Sequence, residues 1–124
     1  PARQARARLT SQEAFPRSRR VARATDIRRC LAKGRRRRYV FLEMIWADNA
    51  LGHPRLGMIV PKLRQTAPER NRLRRRLREI WRRDVQAHQP AWDLMLRARR
   101  EAYDASFDQL RAELVQWRDA TCAA

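Results

Sequence analysis

The sequence predicts an α+β fold: a small two-layer α/β sandwich with the element order helix, strand, strand, helix, strand, helix. Three observations predict it. Two capping boxes, Thr66–Glu69 and Ser106–Gln109, each open a stretch with apolar residues at helical spacing. Residues 39–46, 55–61 and 92–98 are short, rich in aliphatic and aromatic side chains, and bounded by turn or breaker residues. A chain of 124 residues fits one domain with a real core and leaves no room for a second.

Residues 1–20 are rich in Arg, Ala, Gln, Ser and Pro and lack periodicity, so they are expected to form a flexible basic arm ahead of one domain over 21–119, with a short tail at 120–124. A first helix is expected from Thr25 as N-cap, with Ile27 and Leu31 on one face and Gly34 in the left-handed position after its end. Arg35, Arg36, Arg37 and Arg38 form a loop or strand entry too charged to pack.

The first strand is expected over Tyr39–Trp46. Val40, Leu42, Met44 and Trp46 make an apolar face, and Tyr39, Phe41, Glu43 and Ile45 a mixed one. A turn around Asp48-Asn49 and Gly52 leads to a second strand over Arg55–Pro61, and the two suggest an antiparallel hairpin with a fairly long loop. Pro61 places the end of that strand at an edge or exit.

The next helix starts at the Thr66 capping box, has Pro68 in its first turn, and ends near 88–90. Leu73, Leu77, Ile80 and Trp81 form its apolar stripe. Arg72, Arg75, Arg82 and Arg83 point away from that stripe, while Arg74 and Arg78 flank it. A third strand over Trp92–Ala98 and a last helix over Ser106–Trp117 complete the chain, with Phe107, Leu110, Leu114 and Trp117 facing inward. The four tryptophans are assigned to the core or its rim.

Charge narrows the function. Lys+Arg is 30 against Asp+Glu 13, a formal net charge of +17, and Lys33 and Lys62 are the only lysines. Eight arginines between Arg70 and Arg83 face one interior acid, Glu79. A solvated helix face would mix both signs to gain support from residues four apart. This one repels itself until a polyanion neutralises it, and nucleic acid is the first expectation. Arginine suits that role, because its planar guanidinium binds phosphate in bidentate fashion and stacks on bases.

Other classes find less support. Cys30 and Cys122 are far apart and suggest neither a disulfide framework nor a metal spacing, so a reducing compartment is expected. The longest apolar run is too short to cross a bilayer, and no signal peptide is visible; a soluble cytoplasmic protein with no membrane partner is expected. His53 and His88 have no companions for a metal site or triad. A helix-turn-helix is disfavoured because no helix precedes Thr66 at turn distance.

The run Gly57-Met58-Ile59-Val60-Pro61-Lys62, followed by Glu69-Arg70-Asn71-Arg72-Leu73-Arg74-Arg75, resembles the signature of the bacterial ribonuclease P protein subunit. The likeness extends from Phe15-Pro16 and Arg20 through Asp26 and Lys33-Gly34 to Asp93 and the last helix, roughly residues 15–118. It implies the same element order with a left-handed β-α-β crossover, against the usual handedness. It also implies a subunit of a ribonucleoprotein that removes the 5′ leader of precursor tRNA. The catalytic RNA partner then carries the active site and holds the Mg²⁺ ions, in a one-to-one protein–RNA pair.

By that resemblance Lys62, Arg70, Asn71, Arg72, Arg74, Arg75 and Arg78 contact the catalytic RNA. A cleft between the first helix and one sheet face holds the single-stranded leader. Many members offer two aromatic residues on that helix where this chain has Ile27 and Leu31. The mixed strand face is favoured as the other wall, with Tyr39 and Phe41 as stacking surfaces. Arg20 and Arg35, Arg36, Arg37 and Arg38 are expected to add phosphate contacts. The alternatives are a basic RNA-binding scaffold of the ribosomal-protein kind and, less favoured, a protein-only metal-dependent nuclease. The latter would gather carboxylates that here are scattered over Glu43, Asp48, Asp84 and Asp93.

Overall fold

The computed structural model describes residues 17–62 and 65–122. Its elements are α1 (Ala24–Lys33), β1 (Arg35–Arg38), β2 (Leu42–Asp48), β3 (Arg55–Ile59), α2 (Ala67–Ile80), β4 (Trp92–Ala98) and α3 (Phe107–Thr121). They build one four-stranded sheet in the order β1-β2-β4-β3. The α+β class and the sequence of elements follow the expectation, with one strand more than expected at Arg35–Arg38.

Strand pairing departs from the expected hairpin. The tight hairpin is β1–β2, turned by residues 39–41 and closed by the Tyr39 amide donating to the Leu42 carbonyl at 2.8 Å. β2 and β3 are not neighbours. β4 lies between them, antiparallel to β2 and parallel to β3. The strand expected over Tyr39–Trp46 is therefore shifted to Leu42–Asp48, and Tyr39 and Phe41 stand in the turn. A short sequence gap between two strands does not enforce pairing when a later, more apolar strand competes for the central place.

Alternation along the strands splits the interior in two. Leu42, Met44, Trp46, Leu56, Leu94 and Leu96 face α2 and α3, meeting Leu73, Leu77, Ile80, Trp81, Leu110, Leu114 and Trp117. Ile45 and Met95 face the other way and are covered by Val21 and Cys30, with Ile27, Leu31 and Ile59 packed around them. Helices therefore cover both faces: α1 alone on one, α2 and α3 together on the other. Of the expected apolar strand face, Val40 is an exception; it lies in the turn and is 61% exposed.

Both capping boxes form. The Glu69 amide donates to Thr66 Oγ1 at 3.3 Å, and the Gln109 amide to Ser106 Oγ at 3.1 Å. The expected cap of α1 does not: Arg23 is the N-cap and makes no side-chain bond. Gly34 is not left-handed either, with φ −73° and ψ 157°. Its lack of a side chain matters for space, because a Cβ there would lie 2.4 Å from the Cys30 carbonyl oxygen and 3.0 Å from that of Trp46. After Ile80 the helical path continues as a π-helical turn, Trp81–Val85, and a 3₁₀ turn to His88, so it ends where expected with a changed pitch.

The arm expected over residues 1–20 lies outside the described residues as far as residue 16, and with it Phe15 and Pro16. From Arg17 the chain is folded: Arg17–Arg19 make a 3₁₀ turn, Arg20 bridges Leu56, and the Val21 amide donates to the Leu56 carbonyl at 3.0 Å. At the other end α3 runs to Thr121, past the expected boundary at 119.

Candidate nucleic-acid interface

The arginine helix α2 owes its free charge to how its acids are used. Its apolar stripe, Leu73, Leu77 and Ile80, is buried against the core, which turns the remaining positions outward. Glu69 is committed to the capping box, and Glu79 pairs with Arg82 at 2.7 Å and Arg83 at 3.7 Å. Neither carboxylate reaches Arg70, Arg72, Arg74 or Arg75, whose guanidinium groups have no ion-pair partner among the described residues. Asn71, Arg72 and Arg75 are exposed, and Arg70, Arg74 and Arg78 are half-buried along the flanks. Lys62 is exposed just before the helix, beyond the end of β3. These seven residues thus share one element and its entrance.

The other expected residues separate. Ile27 and Leu31 do lie on α1 over the sheet, as the cleft requires. Tyr39 and Phe41 do not join them. Both pack against the opposite cluster beneath α2 and α3, because the hairpin turn carries them off β2 before the pleat can set their facing. They are removed from the cleft wall.

The register of β1 also divides the arginine run. Arg36 pairs with Ile45 and Arg38 with Glu43, which places both on the α1 face; Arg35 pairs with Trp46 and Arg37 with Met44, on the other. Arg35 is occupied there, stacked over Trp92 at 4.9 Å and Trp46 at 5.4 Å and paired with Asp48 at 3.5 Å. Arg20 sits beside β3 at the far edge of the sheet.

What remains uncovered on the α1 face is a row across all four strands: Arg38, Glu43, Arg97 and Ile59, each in register with the next. Neither Arg97 nor Ile59 is among the residues expected from sequence. The signal is present, since Arg97 is the one charged residue inside the otherwise apolar stretch Leu94–Ala98. Arg36 borders this row, and its Nη2 donates to the Leu31 carbonyl in the last turn of α1, a favourable place for a cation.

The scattered carboxylates each have an arginine: Glu43 with Arg97 and Arg36, Asp48 with Arg35, Asp84 with Arg111, and Asp93 with Arg55. The last pair is bidentate and buried, and Asp26 of α1 stands 3.4 Å from the same guanidinium. On the opposite face the buried Glu113 of α3 accepts from the amides of Phe41 and Leu42 at 3.0–3.1 Å and so holds the hairpin turn. Burial pushes its carboxyl above the ordinary range, and those amides pull it back in part.

Comparisons with known proteins agree on one family. The family model described as Ribonuclease P matches residues 15–121. The ribonuclease P protein component of Vibrio vulnificus is 41% identical over 68 residues, which are 54% of this chain and 57% of that protein. The component of Idiomarina loihiensis is 37% identical over 78 residues, 60% of this chain and 61% of that protein. The matches thus span less than two thirds of these relatives' length. The structure of the Staphylococcus aureus RNase P protein superposes with a TM-score of 0.77 at 26% identity, covering 86% of this chain and 98% of that one. The Thermotoga maritima RNase P protein has the same fold, with a TM-score of 0.73 at 22% identity, covering 82% of this chain and 96% of that one.

Proposed function

The chain belongs to the ribonuclease P protein family, and from that premise we propose that it is the protein subunit of a ribonuclease P ribonucleoprotein. It binds the catalytic RNA through α2 and the 5′ leader of precursor tRNA in the cleft beside α1, assisting removal of the leader. The observation that carries this reading is the uncompensated charge of α2, where Arg70, Arg72, Arg74 and Arg75 share one rigid element and meet no carboxylate among the described residues.

Each part then has a physical task. Arg70, Arg72, Arg74, Arg75 and Arg78, with Lys62 and Asn71, position phosphates of the partner RNA. Neutralising those phosphates lowers RNA–RNA repulsion, so the complex holds substrate and Mg²⁺ at lower concentrations of the divalent ion. The Mg²⁺ is bound by RNA, which also performs the hydrolysis in a one-to-one complex in the cytoplasm. Ile27, Leu31, Ile59, Arg36, Arg38 and Arg97 line the leader's channel, and selection of precursor over mature tRNA follows because only the precursor has a leader to bind.

Reconstitution tests the reading. The chain is mixed with a bacterial ribonuclease P RNA and a precursor tRNA at low Mg²⁺, and cleavage at the mature 5′ end is expected only when both protein and RNA are present. Cleavage by the protein alone would support a protein nuclease instead. No effect on the RNA enzyme would leave a plain RNA-binding scaffold.

A further inference from the structure

The cationic row on the α1 face contains one carboxylate. Glu43 stands between Arg38 and Arg97, and its side chain is 17% exposed. On a surface that only tracks phosphates, a negative charge at the centre is counterproductive. Its ion pairs do not explain it. Oε1 lies 3.5 Å from Arg97 Nη1 and 3.9 Å from Arg36 Nη1, both on arginines nearly half exposed, and such long surface pairs contribute little. Oε2 meets no donor among the described residues. The group is nonetheless well placed, on a central strand, beside an Arg36 that is tied to the end of α1.

We propose that Glu43 reads a base of the leader, its Oε2 accepting an N–H from the base's exocyclic amine while Arg97 donates to a neighbouring ring acceptor or phosphate. The proposal rests on the leader occupying this cleft. Adenine and cytosine each place an amine beside a ring nitrogen acceptor, and guanine places one beside a second N–H. Uracil has no exocyclic amine, and its one donor on that edge, N3–H, is flanked by two carbonyl oxygens that a carboxylate repels. Phosphate contacts alone give no such preference. Glu43 is therefore a specificity residue, favouring adenine, cytosine or guanine over uracil at the one leader nucleotide that lies across β2.

The test is competition within a pool of precursor tRNAs with randomised leaders, cleaved by reconstituted holoenzyme, reading relative kcat/KM for each base at each leader position. The wild-type holoenzyme should disfavour uracil at one position by about ten- to a hundredfold, the worth of one charge-assisted hydrogen bond. Glu43→Ala should flatten that position and leave the ranking elsewhere unchanged. Glu43→Gln, which adds a donor, should shift it toward uracil. A substrate with a one-nucleotide leader should be cleaved equally by all three proteins, which verifies folding and assembly.

A uniform gain for all leaders in Glu43→Ala would show that the carboxylate acts only as charge, and would overturn the proposal. Equal use of all four bases by the wild type would overturn it as well, while leader-dependent binding would leave the proposed function standing. Binding independent of leader length would sink both.

Discussion

Arg55 and Asp93 face each other across the parallel strands β3 and β4 and form a bidentate ion pair, Nε to Oδ1 at 2.8 Å and Nη2 to Oδ2 at 2.6 Å. Their side chains are 12% and 2% exposed. Asn49 Nδ2 adds a bond to Asp93 at 2.9 Å, so the loop after β2 is tied to the same carboxylate. The hydrogen bonds to Asp93 hold the Arg55 guanidinium above its ordinary range despite burial. The pair fastens β3 to β4 and, through Asp26, sets where α1 begins to cross the sheet.

Removing one partner of this pair leaves a buried charge. Asp93→Ala is expected to cost about 3–5 kcal/mol, read from the urea midpoint. The double replacement Asp93→Leu with Arg55→Met should recover much of that loss, because both largely buried charges go together and Asp26, whose side chain is 26% exposed, is left to solvent. Equal losses in the single and double variants would mean the pair is not coupled.

Gly34 joins α1 to β1 against two backbone carbonyls. Gly34→Ala should destabilise by about 1–3 kcal/mol, since backbone cannot yield as a flexible side chain would. Gly52 is the contrast. Its φ of 78° makes alanine strained there, but open space surrounds it, so the cost should stay near about 1 kcal/mol. Thermal melts of the two variants compare them directly.

Glu113 makes stability depend on pH in an unusual direction. Its carboxyl is raised in the folded chain, first by burial, so the folded state binds the proton more readily than the unfolded state. The corresponding stability is present below the ordinary carboxylate range and is lost as pH rises through the raised folded value. Wild type should therefore gain on Glu113→Gln as pH falls from 7 toward that range, in paired urea titrations. At pH 7 Glu113→Ala should lose about 1–3 kcal/mol, because the amides of Phe41 and Leu42 lose their acceptor.

Replacing Arg70 and Arg72 together by Ala should weaken RNA binding and lower holoenzyme activity at moderate Mg²⁺ without unfolding the domain. The slope of log affinity against log salt should fall by roughly 0.7–0.9 for each phosphate that is no longer neutralised. The melting curve should barely move, since neither side chain has an ion-pair partner among the described residues. Unchanged affinity and activity would remove α2 from the RNA interface.

Much of this molecule is legible in its sequence, and the legible parts share a cause. Thr66 with Glu69 and Ser106 with Gln109 act within one turn, and the stripe from Leu73 to Ile80 is periodic, so each follows from neighbours in the chain. Trp92–Ala98 likewise has the expected strand bounds. The features that differ from expectation depend on partners far away. Strand β4 enters between β2 and β3 only after α2 has crossed, so local pattern favours a hairpin that the fold does not contain. Glu113 holds a turn 72 residues earlier in the sequence, and no local pattern announces that bond. Tyr39 and Phe41 are misplaced when strand alternation is extended three residues ahead of the true start at Leu42. The same alternation, applied to Arg97, places it in the cleft row.

The four arginines of β1 line the sheet's outer edge, while Arg20 and Val21 lie against the β3 side. Bare edge strands are where chains add to one another and start fibrils. A second copy docking on β1 would bring two sets of these guanidinium groups close together, which their repulsion disfavours, most strongly at low salt. That repulsion opposes self-association at this edge, and the proposed RNA partner would neutralise the same charge. That protection has a threshold: short or substoichiometric polyanions would discharge the edge without covering it, and turbidity should appear at intermediate RNA ratios and clear again in excess.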